Sequence, residues 1–141
     1  MKYVLDATVA ALWVVRSPLM PRALRLRSEY QQRIHELIAP SHFPGEIASA
    51  LTKAERTKLI RRGAADPLIR DVLTTPPILY DTDLLFYRAV DISSQTRSAF
   101  YDCLYVALAE RERCELVTAD TGLVNNLRPH FHFIVPLASL P

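Results

Sequence analysis

Short hydrophobic runs alternate with longer amphipathic stretches along this chain, and that alternation predicts strands joined by helices. The runs typical of short buried strands are residues 3–5, 38–39, 78–80, 116–118 and 131–135. Each intervening stretch is long enough for a crossover, so neighbouring strands should run parallel. The predicted order is β-α-α-β-α-α-β-α-α-β-α-β. This order is typical of an α/β fold, with a mostly parallel central sheet of four to five short strands flanked by helices on both faces.

The helices are predicted from apolar residues three or four positions apart and from the prolines and glycines that separate them. The predicted helical segments are residues 8–15, 22–37, a segment that begins at 44, 64–73, 83–92 and 102–113. In the second segment, one apolar row should form from Leu26, Tyr30, Ile34 and Leu37. In the third, Glu46 lies at the margin of an apolar stripe, so its carboxylate must reach water or enter a polar pocket.

Residues 100–127 carry the strongest functional signal in the sequence. Asp102 begins a largely apolar helix, and Asp120 follows the strand after it. The start of a helix and the carboxyl end of a parallel strand lie at the same edge of a sheet, where ligands bind. Asp6 directly follows the first strand, and Glu46 lies in the first turns of the helix after the second strand. The sequence therefore predicts that four carboxylates meet at one edge of the sheet.

Each acid alone also has a structural explanation, because Asp is a good helix N-cap and Glu in a first turn complements the helix dipole. The four acids as a set are not explained by helix capping. Two charges about 4 Å apart cost about 4 kcal/mol at an effective dielectric of about 20, so the cluster must take up protons or bind a cation. Oxygen ligands without cysteine or clustered histidine favour Mg²⁺ or Mn²⁺ over zinc. Activation of water for attack on a phosphodiester is the natural chemistry of such a site.

Length and composition are those of a folded protein with one domain, residues 1–141, because half of the 141 residues are hydrophobic. No apolar run approaches the ~18 to 20 residues of a membrane span. We expect no signal peptide, since Asp6 interrupts the first apolar run. Cys103 and Cys114 are too few and wrongly spaced for a zinc site or a disulfide framework, which favours a reducing cytoplasm.

The net charge is only +2, yet fourteen arginines stand against three lysines. Arginine is favoured where a planar fork grips phosphate, although a basic face can also be merely solvated. The most basic segment contains Lys53, Arg56, Lys58, Arg61 and Arg62. As a phosphate-facing rim it would suit nucleic acid, with Arg56 and Arg61 as candidate substrate contacts.

Four motifs together resemble those of a known family. They are LDAT near the N-terminus, P-x-x-F-P-x-E-I-x-x-A-L from residue 40, S-x-x-Y-D-x-x-Y-V-A-L-A-E from residue 98, and L-V-T-A-D-x-x-L from residue 116. The chain resembles PIN domains, and is most similar to the VapC-type toxins of bacterial and archaeal toxin–antitoxin pairs. The resemblance covers nearly the whole chain, in length, element order and motif spacing. One small departure is Cys103, which stands where alanine is usual.

This resemblance implies a three-layer α/β/α fold and a metal-dependent endoribonuclease, in many members a homodimer, held inactive by a small antitoxin protein. It assigns the acidic site and its metal, Mg²⁺ or Mn²⁺, to Asp6, Glu46, Asp102 and Asp120. Polar support would come from Thr8 and Thr118. Asn125, which follows Asp120, is a further candidate for contact with the RNA substrate. The antitoxin is expected in a groove beside the second and third helices.

Other functions fit the sequence less well. A phosphatase of the haloacid dehalogenase class needs a second Asp where Thr8 stands, and a receiver domain needs a lysine near its last strand, whereas none follows Lys58. A non-catalytic PIN-like module that binds RNA or protein is the non-enzymatic alternative. A housekeeping RNA-processing or DNA nuclease of the PIN class is the enzymatic one. Ordinary surface or edge positions are predicted for the histidines, His35, His42, His130 and His132.

Overall fold

The computed structural model describes all 141 residues and contains one sheet of five short strands. The strands are β1 (Lys2–Leu5), β2 (Glu36–Pro40), β3 (Ile78–Tyr80), β4 (Glu115–Thr118) and β5 (Ile134–Pro136). Their spatial order is β3-β2-β1-β4-β5, and every neighbouring pair is parallel. The predicted α/β fold with a parallel sheet is therefore confirmed.

Seven α-helices flank the sheet. They are α1 (Ala7–Ala11), α2 (Met20–Gln31), α3 (Phe43–Arg56), α4 (Ala65–Val72), α5 (Phe86–Thr96), α6 (Phe100–Glu112) and α7 (Thr121–Leu127). Two short 3₁₀ turns lie at Thr82–Leu84 and Leu137–Ser139. The order of helices and strands is the predicted one. No helix combines the length and the apolar character needed to cross a bilayer.

Strand β1 lies at the centre of the sheet, and the chain builds outward from it on both sides. It pairs with β2 on one side and with β4 on the other, with Leu5 in register with Val117. Strands β2 and β3 extend the sheet on one side of β1, and β4 and β5 extend it on the other side. The gap between the carboxyl ends of β1 and β4 is thus a topological switch point, the place where open α/β sheets bind ligands.

Helix α6 is buried along most of its length, which fixes its position relative to the carboxyl ends of the central strands. Residues 103–109 are all buried, which explains why this helix is apolar all round rather than amphipathic. It packs against α5, β1, β2 and β4. Its first turn is consequently held in one place beside the ends of the central strands.

Helix α2 ends earlier than the apolar spacing predicted. It stops at Gln31, and Arg33 adopts a left-handed backbone conformation with φ of 62°, which terminates helices. Ile34 lies beyond the helix and is exposed, while Leu37 is buried in β2. The prediction of one apolar row on a single helix is therefore wrong.

Other predicted boundaries also differ from the structure, such as that of α5, which was predicted at 83–92 and spans Phe86–Thr96. Two further differences have a clear local cause. Helix α1 ends at Ala11 rather than residue 15, because the next residues form tighter turns, with Trp13 N donating to Ala10 O at 3.0 Å. Strand β5 begins at Ile134, since Phe131 N still donates to a carbonyl of α7. Hydrophobic runs alone do not distinguish such turns from short helices or strands.

Candidate active site

Asp6 lies at the carboxyl end of the central strand β1 and is almost fully buried, with 4% of its surface exposed. Its Oδ2 accepts hydrogen bonds from Thr118 Oγ1 at 2.6 Å and Thr8 Oγ1 at 2.8 Å. The side chain makes no capping hydrogen bond to α1, although Asp6 occupies the N-cap position. The capping explanation therefore does not account for this carboxylate.

Thr8 and Thr118 link the ends of β1 and β4 into one hydrogen-bonded unit. Besides donating to Asp6, Thr118 Oγ1 accepts from Asp120 N at 3.0 Å, and Thr8 Oγ1 accepts from Ala119 N at 3.1 Å. Thr118 is completely buried. The two hydroxyls thus hold the backbone that carries Asp120 in a fixed relation to the Asp6 carboxylate.

Asp120 is an N-cap and a member of the acidic cluster at once. Its Oδ1 accepts from Gly122 N at 2.9 Å and Leu123 N at 3.2 Å, at the start of α7. Gly122 is suited to this turn, because a Cβ there would lie 3.3 Å from the same Oδ1. Only one carboxylate oxygen is used by the cap, which leaves Oδ2 available for another interaction.

Asp102 lies in the first turn of α6 and is partly buried. Burial, followed by the charges of Asp6, Asp120 and Glu46, raises its pKa to about 7. The pKa of Asp6 rises to about 6 through burial, with smaller contributions from Glu46 and Asp120, while the two threonine hydrogen bonds oppose the rise. All four predicted acids lie at the end of a strand or the start of a helix on the carboxyl edge of the sheet, and their effects on one another's pKa agree with this placement.

Glu46 lies in the first turn of α3 and differs electrostatically from Asp6 and Asp102. Burial favours its neutral form, but His42 and then Tyr105 outweigh that effect and hold the pKa of Glu46 below its usual range. His42 Nε2 is 3.2 Å from Glu46 Oε1, near enough for attraction but not aligned as a hydrogen bond. The acidic edge therefore combines one carboxylate that ionises readily with two that resist ionisation.

His42 and Tyr105 are site residues that the sequence analysis missed. His42 is mostly buried and its ring lies against Tyr105, so the prediction of an ordinary surface residue is wrong for it. The available signal was spacing, since His42 precedes Glu46 by four residues and Tyr105 follows Asp102 by three, one helical turn in each case. His35 is mostly buried as well and pairs with Glu29, whereas His130 and His132 are exposed in the turn before β5.

The donor set of this edge fits a divalent cation of the Mg²⁺ type. Its oxygens come from carboxylates that repel one another, and a cation relieves that repulsion. No three Asp, Glu, His or Cys side chains are arranged closely enough to form a complete metal site on their own. Mg²⁺ is usually held by one or two carboxylates together with water and phosphate oxygens, so an incomplete protein cage is what this ion uses.

A sequence profile of the PIN domain family matches residues 3–126. The chain belongs to the PIN domain family. PIN domains are generally nucleases that depend on divalent metal ions. No curated protein is significantly similar in sequence.

Two solved structures share the PIN fold of this chain. PAE2754 from Pyrobaculum aerophilum is 20% identical over 99% of this chain and 94% of its own, with a TM-score of 0.68. VapBC2 from Rickettsia felis, bound to a DNA fragment from their promoter, is 12% identical over 96% of this chain and 97% of the matched chain, with a TM-score of 0.62. At these identities the likeness concerns the fold.

The three predicted substrate contacts lie at different distances from the acidic edge of this PIN domain. Asn125 lines a cleft of about 240 Å³ together with Asp120 and Thr118, so it adjoins the acids. Arg56 and Arg61 line a groove of about 800 Å³ at the carboxyl end of α3. Ten residues at 1.5 Å each place Arg56 about 15 Å along the helix from Glu46. The two arginines therefore do not belong to the acidic cluster.

Proposed function

We propose that this PIN domain is a Mg²⁺- or Mn²⁺-dependent endoribonuclease that hydrolyses RNA phosphodiester bonds, and that it is the toxin of a toxin–antitoxin pair. The observation that carries the proposal is the convergence of Asp6, Glu46, Asp102 and Asp120 at the switch point of the sheet, where the charges of the other three raise the pKa of Asp102. Helix caps have no need of such a cluster, whereas a cation site does.

The protein's own contribution to catalysis is to present carboxylate oxygens in fixed positions. Asp6 is held through Oδ2 by two hydroxyl donors, and Asp120 is held through Oδ1 by two backbone amides. The other oxygen of each carboxylate is available to bind the ion. A bound Mg²⁺ or Mn²⁺ would offset the negative charges, polarise a phosphate and lower the pKa of a water molecule.

The surroundings of the acids suit a nucleic acid with exposed phosphates. Asn125 adjoins Asp120, and its amide can donate to a phosphate or to a base edge. Arg56 at the end of α3 and Arg61 in the segment after it line one groove, where they would attract a backbone that extends from the acidic edge. Their placement and chemistry support the proposal that these three residues bind the substrate.

RNA cleavage should require a divalent metal and leave 5′-phosphate and 3′-hydroxyl ends. The expected nucleophile is water and not the ribose 2′-hydroxyl, because a divalent cation held by the acids would lower the pKa of a bound water molecule. The measurement is gel analysis of a labelled RNA in Mn²⁺, in Mg²⁺ and in excess EDTA, followed by end mapping. Full activity in EDTA, or 2′,3′-cyclic phosphate ends, would refute this mechanism. RNA binding without cleavage in either metal would instead favour the non-catalytic module.

A small antitoxin protein and a second copy of the chain are the proposed partners, in the cytoplasm. The antitoxin is supported by the similarity in fold to VapBC2 of Rickettsia felis. The second copy is supported by exposed apolar side chains that neighbour one another on α5, namely Phe86, Tyr87 and Val90. Contiguous exposed apolar surface of this kind marks protein–protein contacts.

Co-expression with the product of a small adjacent reading frame should relieve the growth defect caused by this protein, and the two should co-purify. Sedimentation of the protein without and with that partner should give the mass of a dimer and of a larger complex, respectively. Growth inhibition that no neighbouring gene relieves would favour a housekeeping nuclease over a toxin. A monomeric mass at micromolar concentration would exclude the homodimer.

A further inference from the structure

Three of the five buried polar side-chain atoms that lack a hydrogen-bond partner are gathered around Glu46. They are both ring nitrogens of His42 and the hydroxyl oxygen of Tyr105. The other two belong to Trp13 and His35. An unpaired buried polar atom destabilises a fold. Three such atoms beside one carboxylate of the acidic edge therefore suggest a functional role.

Burial on α6 holds the hydroxyl of Tyr105 beside the acidic edge. This residue lies one helical turn after Asp102 on α6 and is completely buried. Burial, and then the charges of Asp6 and Glu46, strongly raise the pKa of its phenol. By geometry, the phenolic O–H is a buried donor beside the acidic edge that has no hydrogen-bond partner in the structure.

His42 is fixed from two sides immediately before α3. Its ring centroid lies 5.2 Å from that of Tyr101 and 5.0 Å from that of Tyr105, so the imidazole is held between two aromatic rings. Glu46 N donates to His42 O at 3.1 Å, which couples the two residues through the backbone as well. The ring thus directs Nε2 towards Oε1 of Glu46 at 3.2 Å.

We propose that Tyr105 and His42 are positioning residues for Glu46: their O–H and N–H donors hold one carboxylate oxygen, so that the other faces the divalent cation. This inference rests on the proposed function, because it assumes that the acidic edge binds a cation. His42 Nε2 already lies 3.2 Å from Oε1 of Glu46, so a change in the orientation of that carboxylate can bring it into line with this donor. Donors behind a metal-binding side chain typically change metal affinity by about 10- to 100-fold.

Tyr105→Phe removes the hydroxyl and keeps the ring against His42. We expect the dissociation constant for Mn²⁺, measured by isothermal titration calorimetry, to rise about 10-fold. In EDTA the melting temperature should stay the same or rise, because the variant loses an unpaired buried donor. Tyr30→Phe is the matched control, since Tyr30 Oη donates to Pro76 O at 2.7 Å in another part of the fold. That control should lower the melting temperature and leave Mn²⁺ affinity unchanged.

A double-mutant cycle tests whether the effect passes through Glu46. Tyr105→Phe should weaken Mn²⁺ binding in the wild-type background but have little further effect in a Glu46→Gln background. Two variants of the histidine give an independent readout if Tyr105→Phe does not fold. His42→Gln keeps an N–H donor and should stay near the wild-type affinity, whereas His42→Phe keeps a flat ring without a donor and should bind Mn²⁺ more weakly.

The outcomes separate this inference from the proposed function. Unchanged Mn²⁺ affinity in both Tyr105→Phe and His42→Phe, with normal binding by wild type, would overturn the positioning role and leave the metal site intact. If Tyr105→Phe weakens Mn²⁺ binding equally in the wild-type and the Glu46→Gln backgrounds, the effect of Tyr105 does not pass through Glu46. Absence of Mn²⁺ binding by the wild-type protein would overturn the metal-dependent function and this inference together.

Discussion

Asp102→Asn should abolish RNA cleavage and yet make the metal-free protein more stable than wild type. At pH 8 the Asp102 carboxylate is charged, although burial and the neighbouring charges raise its pKa from 3.8 to about 7. One pKa unit corresponds to about 1.4 kcal/mol, so the charge lowers the free energy of unfolding by up to about 4 kcal/mol. Asparagine keeps the shape of the side chain and removes this charge. Thermal unfolding in EDTA at pH 8 should therefore show a higher melting temperature, at roughly 2 to 4 °C per kcal/mol.

The same variant should lose cleavage activity by at least about 100-fold, because it removes a charge on which stabilisation of the reaction depends. Added Mg²⁺ should stabilise wild type more than the variant, since a ligand that binds only the folded state raises its stability in proportion to its occupancy. Asp83→Asn is the control, because it makes the same chemical change at an exposed carboxylate in the turn before α5. A variant at Asp102 that is less stable than wild type in EDTA, with equal shifts by Mg²⁺, would identify Asp102 as a structural residue.

The fold was predictable because its central strand and its central helix are largely buried. The strand at the centre of the sheet and residues 103–109 of α6 are continuous apolar runs, and burial in a parallel sheet demands such runs. Positions at the ends of these elements follow from topology. The convergence of the four acids could therefore be inferred from the order of strands and helices, without any knowledge of side-chain contacts.

The environment of Glu46 was not predictable in the same way. His42 and Tyr105 lie 63 residues apart in sequence, and their contact depends on the packing of β2 and the residues after it against α6. The end of α2 was missed for a local reason, because the left-handed conformation of Arg33 leaves no mark in the hydrophobic pattern. An arginine in that conformation is uncommon, whereas a glycine there would have predicted the boundary.

Asp120 is both a helix cap and a candidate functional acid. One of its oxygens caps α7 and the other is available, so the structural and the functional explanation apply to different atoms of one carboxylate. Asp6 differs, because hydroxyl donors and not helix amides bind it. A substitution at Asp120 will consequently combine two effects, which is why Asp102 is the better probe of the site.

The metal-free protein should lose stability as the pH rises from 5 to 8. Asp6 and Asp102 have pKa values of about 6 and 7 in the folded state, above the 3.8 of an unperturbed aspartate. Between these values the folded state binds more protons than the unfolded state, so the stabilising contribution is complete below about pH 4 and is lost as the pH passes 6 and 7. The expected loss between pH 5 and 8 is up to about 4 kcal/mol. The lowered pKa of Glu46 acts in the opposite direction, but only below pH 4.5, the usual pKa of glutamate.

Urea denaturation in EDTA at a series of pH values measures this loss directly. Asp102→Asn should flatten the decline, because the larger of the two pKa shifts disappears, while Asp83→Asn should leave it unchanged. Mg²⁺ should reduce the decline in wild type, since the ion binds the deprotonated carboxylates and its affinity rises over the same pH range. A wild-type protein whose stability is constant or increases from pH 5 to 8 in EDTA would show that the two aspartates ionise without repulsion. In that case the acidic edge would have no need of a cation, and the central argument for a metal-dependent nuclease would fail.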